Sequence, residues 1–238
     1  MKSANDYSIK GKIYSEHGLQ GTGYLAFKEI PALLTKYYSG GRVLDFGCGS
    51  GRATRLIKAL GYECDGVDIS DDMLKEAKSK DTSGHYLKII NGNIPFPDES
   101  FSMVLSSLVL FEIPTLEEIV FTLKEIKRVM QPEGICIIVT GSEEMYRRNW
   151  LTLKNTFPEN KNLKSGDLAK VLLSDIHLEL YDYFWTKADY EACIAEAGLS
   201  LIESRFPLGS PDDGCEWKDE SLFSPYLILV LKKSLNEV

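Results

Sequence analysis

The chain has 238 residues, of which 44% are hydrophobic and 26% are charged, and its formal net charge is −8. This balance is typical of a globular protein, and the length suits one α/β domain with added segments. The acidic charge disfavours nucleic acid as a partner, because it repels a phosphate backbone.

No apolar stretch reaches the roughly 18 residues that a membrane span needs, and the N-terminus lacks the apolar core of a signal peptide. We therefore expect a cytoplasmic protein with no membrane partner. The five cysteines are far apart in sequence and form no C-x-x-C pair. The sequence thus predicts free thiols and no metal site.

Residues 1–40 are rich in tyrosine and glycine and precede the first predicted strand. A helix is predicted over 25–37, with Pro31 making it irregular. We interpret this segment as an N-terminal cap over the core rather than as part of the core.

Residues 41–140 alternate between strand-like and helix-like segments. The predicted strands are Arg42–Phe46, Glu63–Val67, Leu87–Ile90, Phe101–Ser106 and Ile135–Thr140. Helices are predicted over Arg52–Leu60, after the N-cap Ser70, and after the capping box Thr115-x-x-Glu118. Such alternation indicates a parallel sheet with helices on both faces.

Residues 141–185 are polar and aromatic and break this alternation, which indicates an insertion after strand five. A helix from the N-cap Thr186 to Ala197 follows, and then two strands, Leu199–Arg205 and Tyr226–Leu231. The loop 207–225 between these strands suggests that the last strand is antiparallel.

The predicted fold class is therefore α/β: a Rossmann-like, doubly wound seven-stranded sheet, mostly parallel with an antiparallel last strand. We expect one domain over 1–238, divided into a cap (1–40), a cofactor-binding core (41–140), an insertion (141–185) and a C-terminal helix and strand pair (186–238).

A glycine-rich loop follows the first strand, in the pattern D-x-G-x-G-x-G over Asp45–Gly51. Glycines at this point let a ligand approach the backbone, and the N–H groups at the start of the next helix attract polar or anionic groups. Asp68 closes the second strand, where an acid would accept both ribose hydroxyls of an adenosine.

Asp45 separates two classes of cofactor. A carboxylate at the mouth of the loop would repel the pyrophosphate of a dinucleotide, whereas it suits a cofactor tail that carries an ammonium group. The cofactor indicated by these residues is S-adenosylmethionine.

The order of motifs resembles that of the class I S-adenosylmethionine-dependent methyltransferases, and the resemblance covers roughly 41–140 and 186–232. The matching segments are Val43–Arg52, Gly66–Ser70, Asn91–Phe101, Ser106–Pro114, Val129–Gly134 and Tyr190–Ser204. The resemblance is specific for the fold and the cofactor but not for the methyl acceptor.

The resemblance also implies which residues bind the cofactor. Asp45 and the backbone of Gly47, Cys48 and Gly49 would border the methionine moiety, while Asp68 would bind the ribose. The remaining implied contacts are Ile69 and Met73 on the adenine, Asn93 and Ile94 at its edge, Ser107 and Leu108 on the methionine side, and Tyr14 over the sulfonium.

The acceptor is expected at the carboxyl edge of the sheet, among residues 1–40, 141–185 and 207–225. Either His177 or His17 is a candidate general base, although a solvated histidine is the alternative for each. Tyr146, Trp185 and Trp217 are candidate acceptor contacts, and simple packing is the alternative for these aromatic residues. We expect the acidic loop around Trp217 to fold over the acceptor.

The sequence thus predicts transfer of a methyl group from S-adenosylmethionine to an oxygen or nitrogen atom of a small molecule. Methylation of a protein, a non-catalytic cofactor-binding module and a nicotinamide-dependent oxidoreductase are the alternatives. The sequence leaves the oligomeric state open.

Overall fold

The order of strands and helices follows the sequence prediction closely in this computed structural model. It describes residues 3–16, 19–90 and 92–234, without the side chains of 8–10 and 16. The strands of the main sheet are β1 (Val43–Phe46), β2 (Cys64–Asp68), β3 (His85–Lys88), β4 (Phe101–Ser107), β5 (Met130–Gly141), β9 (Leu199–Arg205) and β10 (Tyr226–Lys233). The helices are α1 (Tyr7–Glu16), α2 (Leu25–Lys28), α3 (Ile30–Tyr37), α4 (Arg52–Ala59), α5 (Asp71–Lys80), α6 (Leu116–Val129) and α7 (Lys187–Glu196).

The main sheet has seven strands in the order β3-β2-β1-β4-β5-β10-β9. Strands β1 to β5 pair in parallel, whereas β10 is antiparallel to both β5 and β9. The predicted fold class is therefore confirmed, including the antiparallel last strand. Since β9 runs parallel to β5, its carboxyl end lies at the same edge as those of β1 and β2.

Strand β5 begins at Met130, five residues before its predicted start. Phe101 pairs with Met130 and Met103 pairs with Ile135, so the register shifts between them. The turn around Pro132 is thus part of an irregular strand start, which the sequence indicated only as the end of a helix.

The insertion after β5 forms a second, antiparallel sheet of three strands, which we call the small sheet. Its strands are β6 (Leu153–Lys154), β7 (Leu168–Leu173) and β8 (Leu178–Tyr183), paired in the order β6-β7-β8. The sequence predicted the insertion but not its strands.

Two apolar cores cover the two faces of the main sheet. One joins α6 and α7 to the sheet through residues such as Leu123 and Ile194. The other joins α2, α3 and α4 to the opposite face, and it continues into the small sheet through Val171. Helices α2 and α3 therefore belong to the core, a difference from the cap expected for all of 1–40.

None of the helices in the described part of the chain is long and apolar enough to cross a membrane.

Two helices begin with a threonine N-cap, but only one of the two capping boxes is complete. Thr186 accepts a bond from the Asp189 N–H, and the Asp189 carboxylate accepts one from the Thr186 N–H, at 3.1 Å and 2.8 Å. Thr115 accepts from the Glu118 N–H at 3.2 Å, but Glu118 Oε2 is buried without a hydrogen-bond partner among the described residues. The box predicted at Thr115 is thus only half formed.

We expect Thr186→Ala to lower the free energy of unfolding by about 1–2 kcal/mol and Thr115→Ala by about 0.5–1 kcal/mol. The reason is that the Thr186 hydroxyl also donates to the Asp189 carboxylate, at 2.6 Å. Urea denaturation of both variants measures the difference, and equal losses would contradict the assignment of the complete box to Thr186.

Candidate functional site

The glycine loop after β1 turns sharply and leaves open space at the start of α4. Gly47 has a φ of +71°, and a Cβ there would lie 2.3 Å from Val109 Cγ2. Gly49 has a φ of +51°, and a Cβ there would lie 3.1 Å from Met73 Cε. Side chains at these two positions would clash or be strained, so the pattern serves both the turn and the space beside it.

A cavity of about 320 Å³, which we call the cofactor cavity, lies against this loop. It is bounded by the carboxyl ends of β1, β2 and β4 and by the N-terminal segment from Ser3 to Tyr14. The structure brings most of the predicted cofactor residues to its wall: Tyr14, Asp45, Gly47, Cys48, Gly49, Asp68, Ile69, Met73, Ser107 and Leu108.

Asp68 is fixed at the end of β2 by two backbone bonds. Its Oδ2 accepts from the Gly49 N–H and its Oδ1 from the Ser70 N–H, each at 2.8 Å. Burial raises the pKa of this carboxyl, and the backbone donors oppose that rise. Each carboxylate oxygen can accept more than one hydrogen bond, so both remain suited to a pair of ribose hydroxyls.

Asp45 is 1% exposed and accepts a hydrogen bond from Thr54 Oγ1 at 2.6 Å. Burial is the main cause that raises its pKa, to about 7, while the Thr54 bond opposes the rise. No ion pair to Asp45 is present among the described residues. A buried carboxyl with one neutral partner is suited to a ligand ammonium group.

Two buried hydroxyls in the cavity wall also suit a polar cofactor. Ser50 Oγ and Ser107 Oγ have no hydrogen-bond partner in the described part of the chain, and both residues line the cofactor cavity. A buried polar group without a partner is unfavourable unless a ligand or water satisfies it. Together with Asp45 and Asp68, these groups fit the ammonium, carboxylate and ribose of S-adenosylmethionine.

Asn93 and Ile94 lie outside the lining of the cofactor cavity. Asn93 is exposed, and Ile94 is buried in the core on the α6 side. The apolar wall near the end of β3 is provided instead by Ile89.

A second, smaller cavity adjoins the cofactor cavity, and we call it the acceptor chamber. The two share Tyr7, Tyr14, Phe27, Arg52, Leu108 and Glu112 in their linings. The rest of the chamber wall comes from Thr22, Gly23, Phe111, Met145, Thr152, Leu153, Val171, Leu173, Leu180, Asp182 and Tyr226. The small sheet and the N-terminal segment thus enclose a mainly apolar space beside the cofactor cavity.

Of the residues predicted for the acceptor side, those that the structure describes do not line either cavity. His177 lies on the exposed turn between β7 and β8, and His17 falls outside the described residues. Tyr146 and Trp185 are buried: Tyr146 donates to Asp182 Oδ2 at 3.1 Å, and Trp185 Nε1 donates to the Ile113 carbonyl at 3.2 Å.

The loop 207–225 contributes no residue to the lining of the two cavities as far as the described residues define it. Trp217 is half-buried, and its ring packs against Gly209. Its Nε1 donates to the Ser210 carbonyl at 3.1 Å. The indole therefore holds its own loop together in this structure.

Two acids of the acceptor chamber, Glu112 and Asp182, were missed in the sequence. Glu112 follows β4 in a short 3-10 turn, within Ser106–Pro114, a stretch that matches the family but in which the acid had no assigned role. Asp182 had a usable signal, because Leu178, Leu180 and Asp182 alternate along β8 and all three are buried. Strand periodicity could therefore have shown that this acid is buried on the inner face of β8.

Comparison with known proteins agrees with this geometry. Residues 44–138 match the family model of a methyltransferase domain. The chain is 35% identical over 111 residues to demethylmenaquinone methyltransferase of Staphylococcus saprophyticus, an alignment covering 44% of this chain and 46% of that protein. It is 25% identical to N-demethylindolmycin N-methyltransferase of Streptomyces griseus, over 84% and 86% of the two chains.

The chain spans about half the length of the more similar curated relatives that it matches. Among solved structures, the CcbJ methyltransferase of Streptomyces caelestis superposes with a TM-score of 0.67 at 18% identity, covering 94% of this chain and 96% of that one. This likeness shows the fold.

The family match covers β1 to β5, which carry the glycine loop, Asp45 and Asp68. The order of the strands, the polar lining of the cofactor cavity and the relatives agree on one assignment. These findings support a class I S-adenosylmethionine-dependent methyltransferase, and the family match itself is confined to residues 44–138.

Proposed function

We propose that this chain transfers a methyl group from S-adenosylmethionine to an oxygen or nitrogen atom of a small-molecule acceptor. The observation that carries this proposal is the acceptor chamber, which shares a wall with the cofactor cavity. The chamber is lined mostly by apolar and aromatic side chains, as small-molecule sites are.

The position of the chamber between separate parts of the chain favours a small molecule over a protein segment. Its walls come from the N-terminal segment, α2, the small sheet and the start of β10, which places Phe27, Val171 and Tyr226 around one space. A relative that aligns with most of this chain is named as an N-methyltransferase of N-demethylindolmycin. We infer an acceptor with an apolar body.

The chain's own residues position the reactants and exclude water. Asp45 and Asp68 would hold the two ends of S-adenosylmethionine, which supplies a methyl group on a positively charged sulfur when bound. Leu108 and Phe27 form the apolar part of the wall that both cavities share. Alignment without water accounts for much of the rate of such a displacement.

Calorimetry with S-adenosylhomocysteine and with NAD tests the cofactor. We expect S-adenosylhomocysteine to bind and NAD not to bind, because the Asp45 carboxyl lies beside the glycine loop, where a pyrophosphate would be repelled. Binding of NAD alone would overturn the proposal.

A cell extract with methyl-labelled S-adenosylmethionine tests the class of acceptor. The label should appear in the small-molecule fraction, whereas label in the protein fraction would favour protein methylation. An Asp68→Ala variant, which removes the ribose contact, serves as the control for background transfer.

The affinity for S-adenosylhomocysteine should depend on pH through Asp45. This carboxyl has a pKa of about 7, raised by burial, so below that pH it is protonated and pairs poorly with the ligand's ammonium group. We expect the Kd to rise as the pH falls below about 7, and the increase should approach about tenfold per pH unit. Above that pH the Kd should level off.

Adenosine is the matched control ligand, because it keeps the ribose and lacks the amine. Any pH dependence of the affinity that comes from Asp68 should affect both ligands. The ratio of the two Kd values therefore isolates the pH dependence that comes from Asp45. Asp45→Asn should make that ratio independent of pH. A ratio that does not change with pH in the unaltered protein would show that Asp45 does not pair with the ammonium.

A further inference from the structure

The wall of the acceptor chamber contains a buried acid, Asp182. Asp182 is 3% exposed and lies on β8, between the apolar residues of the small sheet and the buried Tyr146. Its Oδ2 accepts the Tyr146 hydroxyl at 3.1 Å. Within the described residues, Oδ1 has no hydrogen-bond donor, and the side chain has no ion-pair partner.

Asp182 lines the chamber rather than the cofactor cavity. A carboxylate can accept about four hydrogen bonds, and this one accepts a single bond from a neutral group. A nearly fully buried carboxyl with an unused oxygen in a cavity wall can therefore accept a hydrogen bond from a ligand there.

A second acid, Glu112, lies in the wall that the chamber shares with the cofactor cavity. Its carboxyl accepts hydrogen bonds from Tyr7 at 2.6 Å and Asn5 at 2.9 Å, and from Ser3. All three donors are neutral, so they satisfy the oxygens without cancelling the charge.

The two acids influence each other. Burial raises the pKa of Asp182 well above its ordinary value, and the Glu112 charge raises it further. Burial likewise raises the pKa of Glu112, while its three hydrogen bonds oppose the rise. The other titratable groups in the chamber wall are Tyr7, Tyr14, Tyr226 and Arg52.

Arg52 is the cation in the described wall of the chamber, and it also lines the cofactor cavity. Its guanidinium lies 4.5 Å from the centre of the Tyr14 ring, and its charge lowers the pKa of Asp45. Arg52 therefore acts toward the glycine loop, and the Asp182 end of the chamber has no cation among the described residues of its wall.

We propose that the acceptor is a small amine with an apolar body, which enters as its ammonium ion and is bound by Asp182, with Glu112 as the second acid beside it. This inference rests on the proposed function and names the substrate class of the same site. The apolar wall would pack on the body of the molecule, and the ammonium would donate to the unused oxygen of Asp182.

The chemistry of an amine acceptor balances with these groups. The ammonium passes one proton to a carboxylate, which frees the nitrogen lone pair. That pair forms the new N–C bond while the C–S bond of the donor breaks, and the electron pair of the broken bond stays on sulfur. The product leaves as a methylammonium ion, and the carboxyl returns its proton to solvent.

Calorimetry with benzylamine and benzyl alcohol, in the presence of S-adenosylhomocysteine, tests the inference. The two probes have the same ring and nearly the same size, but only benzylamine is positively charged at neutral pH. We expect benzylamine to bind at least about tenfold more tightly, since a charge-assisted bond to Asp182 is stronger than a neutral one.

Asp182→Asn should reduce that preference to less than about threefold, while the affinity for S-adenosylhomocysteine stays unchanged and shows that the variant is folded. Asp175→Asn is the matched control, because Asp175 is an exposed acid on the turn of the same hairpin. This control should keep the full preference for benzylamine.

Equal affinity for the two probes, a lack of binding by both, or a preference that survives Asp182→Asn would each overturn the amine assignment. Methyl transfer to hydroxyl compounds alone would also overturn it and leave the proposed function intact. Failure of S-adenosylhomocysteine to bind would instead refute the proposed function itself.

Discussion

Burial of carboxyl groups without cations is the constraint on which this site depends. Asp45, Asp68, Glu112 and Asp182 all lie at one edge of the main sheet or in the adjoining small sheet, and none has an ion-pair partner among the described residues. The fold stabilises them with backbone N–H groups and neutral hydroxyl and amide donors. Neutral donors reduce the cost of burial but leave the charge, so the edge favours positively charged ligands.

The walls around these acids are held by a contact outside both cavities. Glu220 is fully buried in the loop 207–225, and its Oε1 accepts from Thr22 Oγ1 at 2.7 Å and from the Leu151 N–H at 2.6 Å. It therefore ties this loop to the N-terminal segment and to the insertion. The loop contributes to the chamber by fixing two of its walls, and Trp217 stabilises the loop from within.

The cofactor half of the site could be predicted because its determinants are local in sequence. Asp45 and the glycines lie within one turn, and Asp68 ends the neighbouring strand, so spacing alone brings them together. Asn93 follows a turn whose course depends on packing against α6. There the Arg128 guanidinium donates a hydrogen bond to the Ile94 carbonyl at 3.0 Å. Motif order did not reveal that contact.

The acceptor half was less predictable because its residues meet only through tertiary structure. Glu112 and Asn5 are bonded across more than a hundred residues, and Asp182 reaches the chamber only because β8 pairs with β7. Aromatic content drew attention to Trp185 and Trp217, yet both indoles have backbone carbonyl partners within the fold. Composition indicated two of the segments that line the chamber, 1–40 and 141–185, but not which of their side chains face it.

The burial that raises the pKa of the chamber acids also has a chemical use. An ammonium ion has no free lone pair, so an amine acceptor must lose a proton before it can attack a methyl group. A carboxylate with an ordinary pKa holds a proton weakly at neutral pH, whereas one whose pKa is raised by burial and by a second acid accepts it more readily. The same pair would thus first attract the cation and then remove its proton. A single solvated acid in that position would do neither well, because water would screen its charge and keep its pKa low.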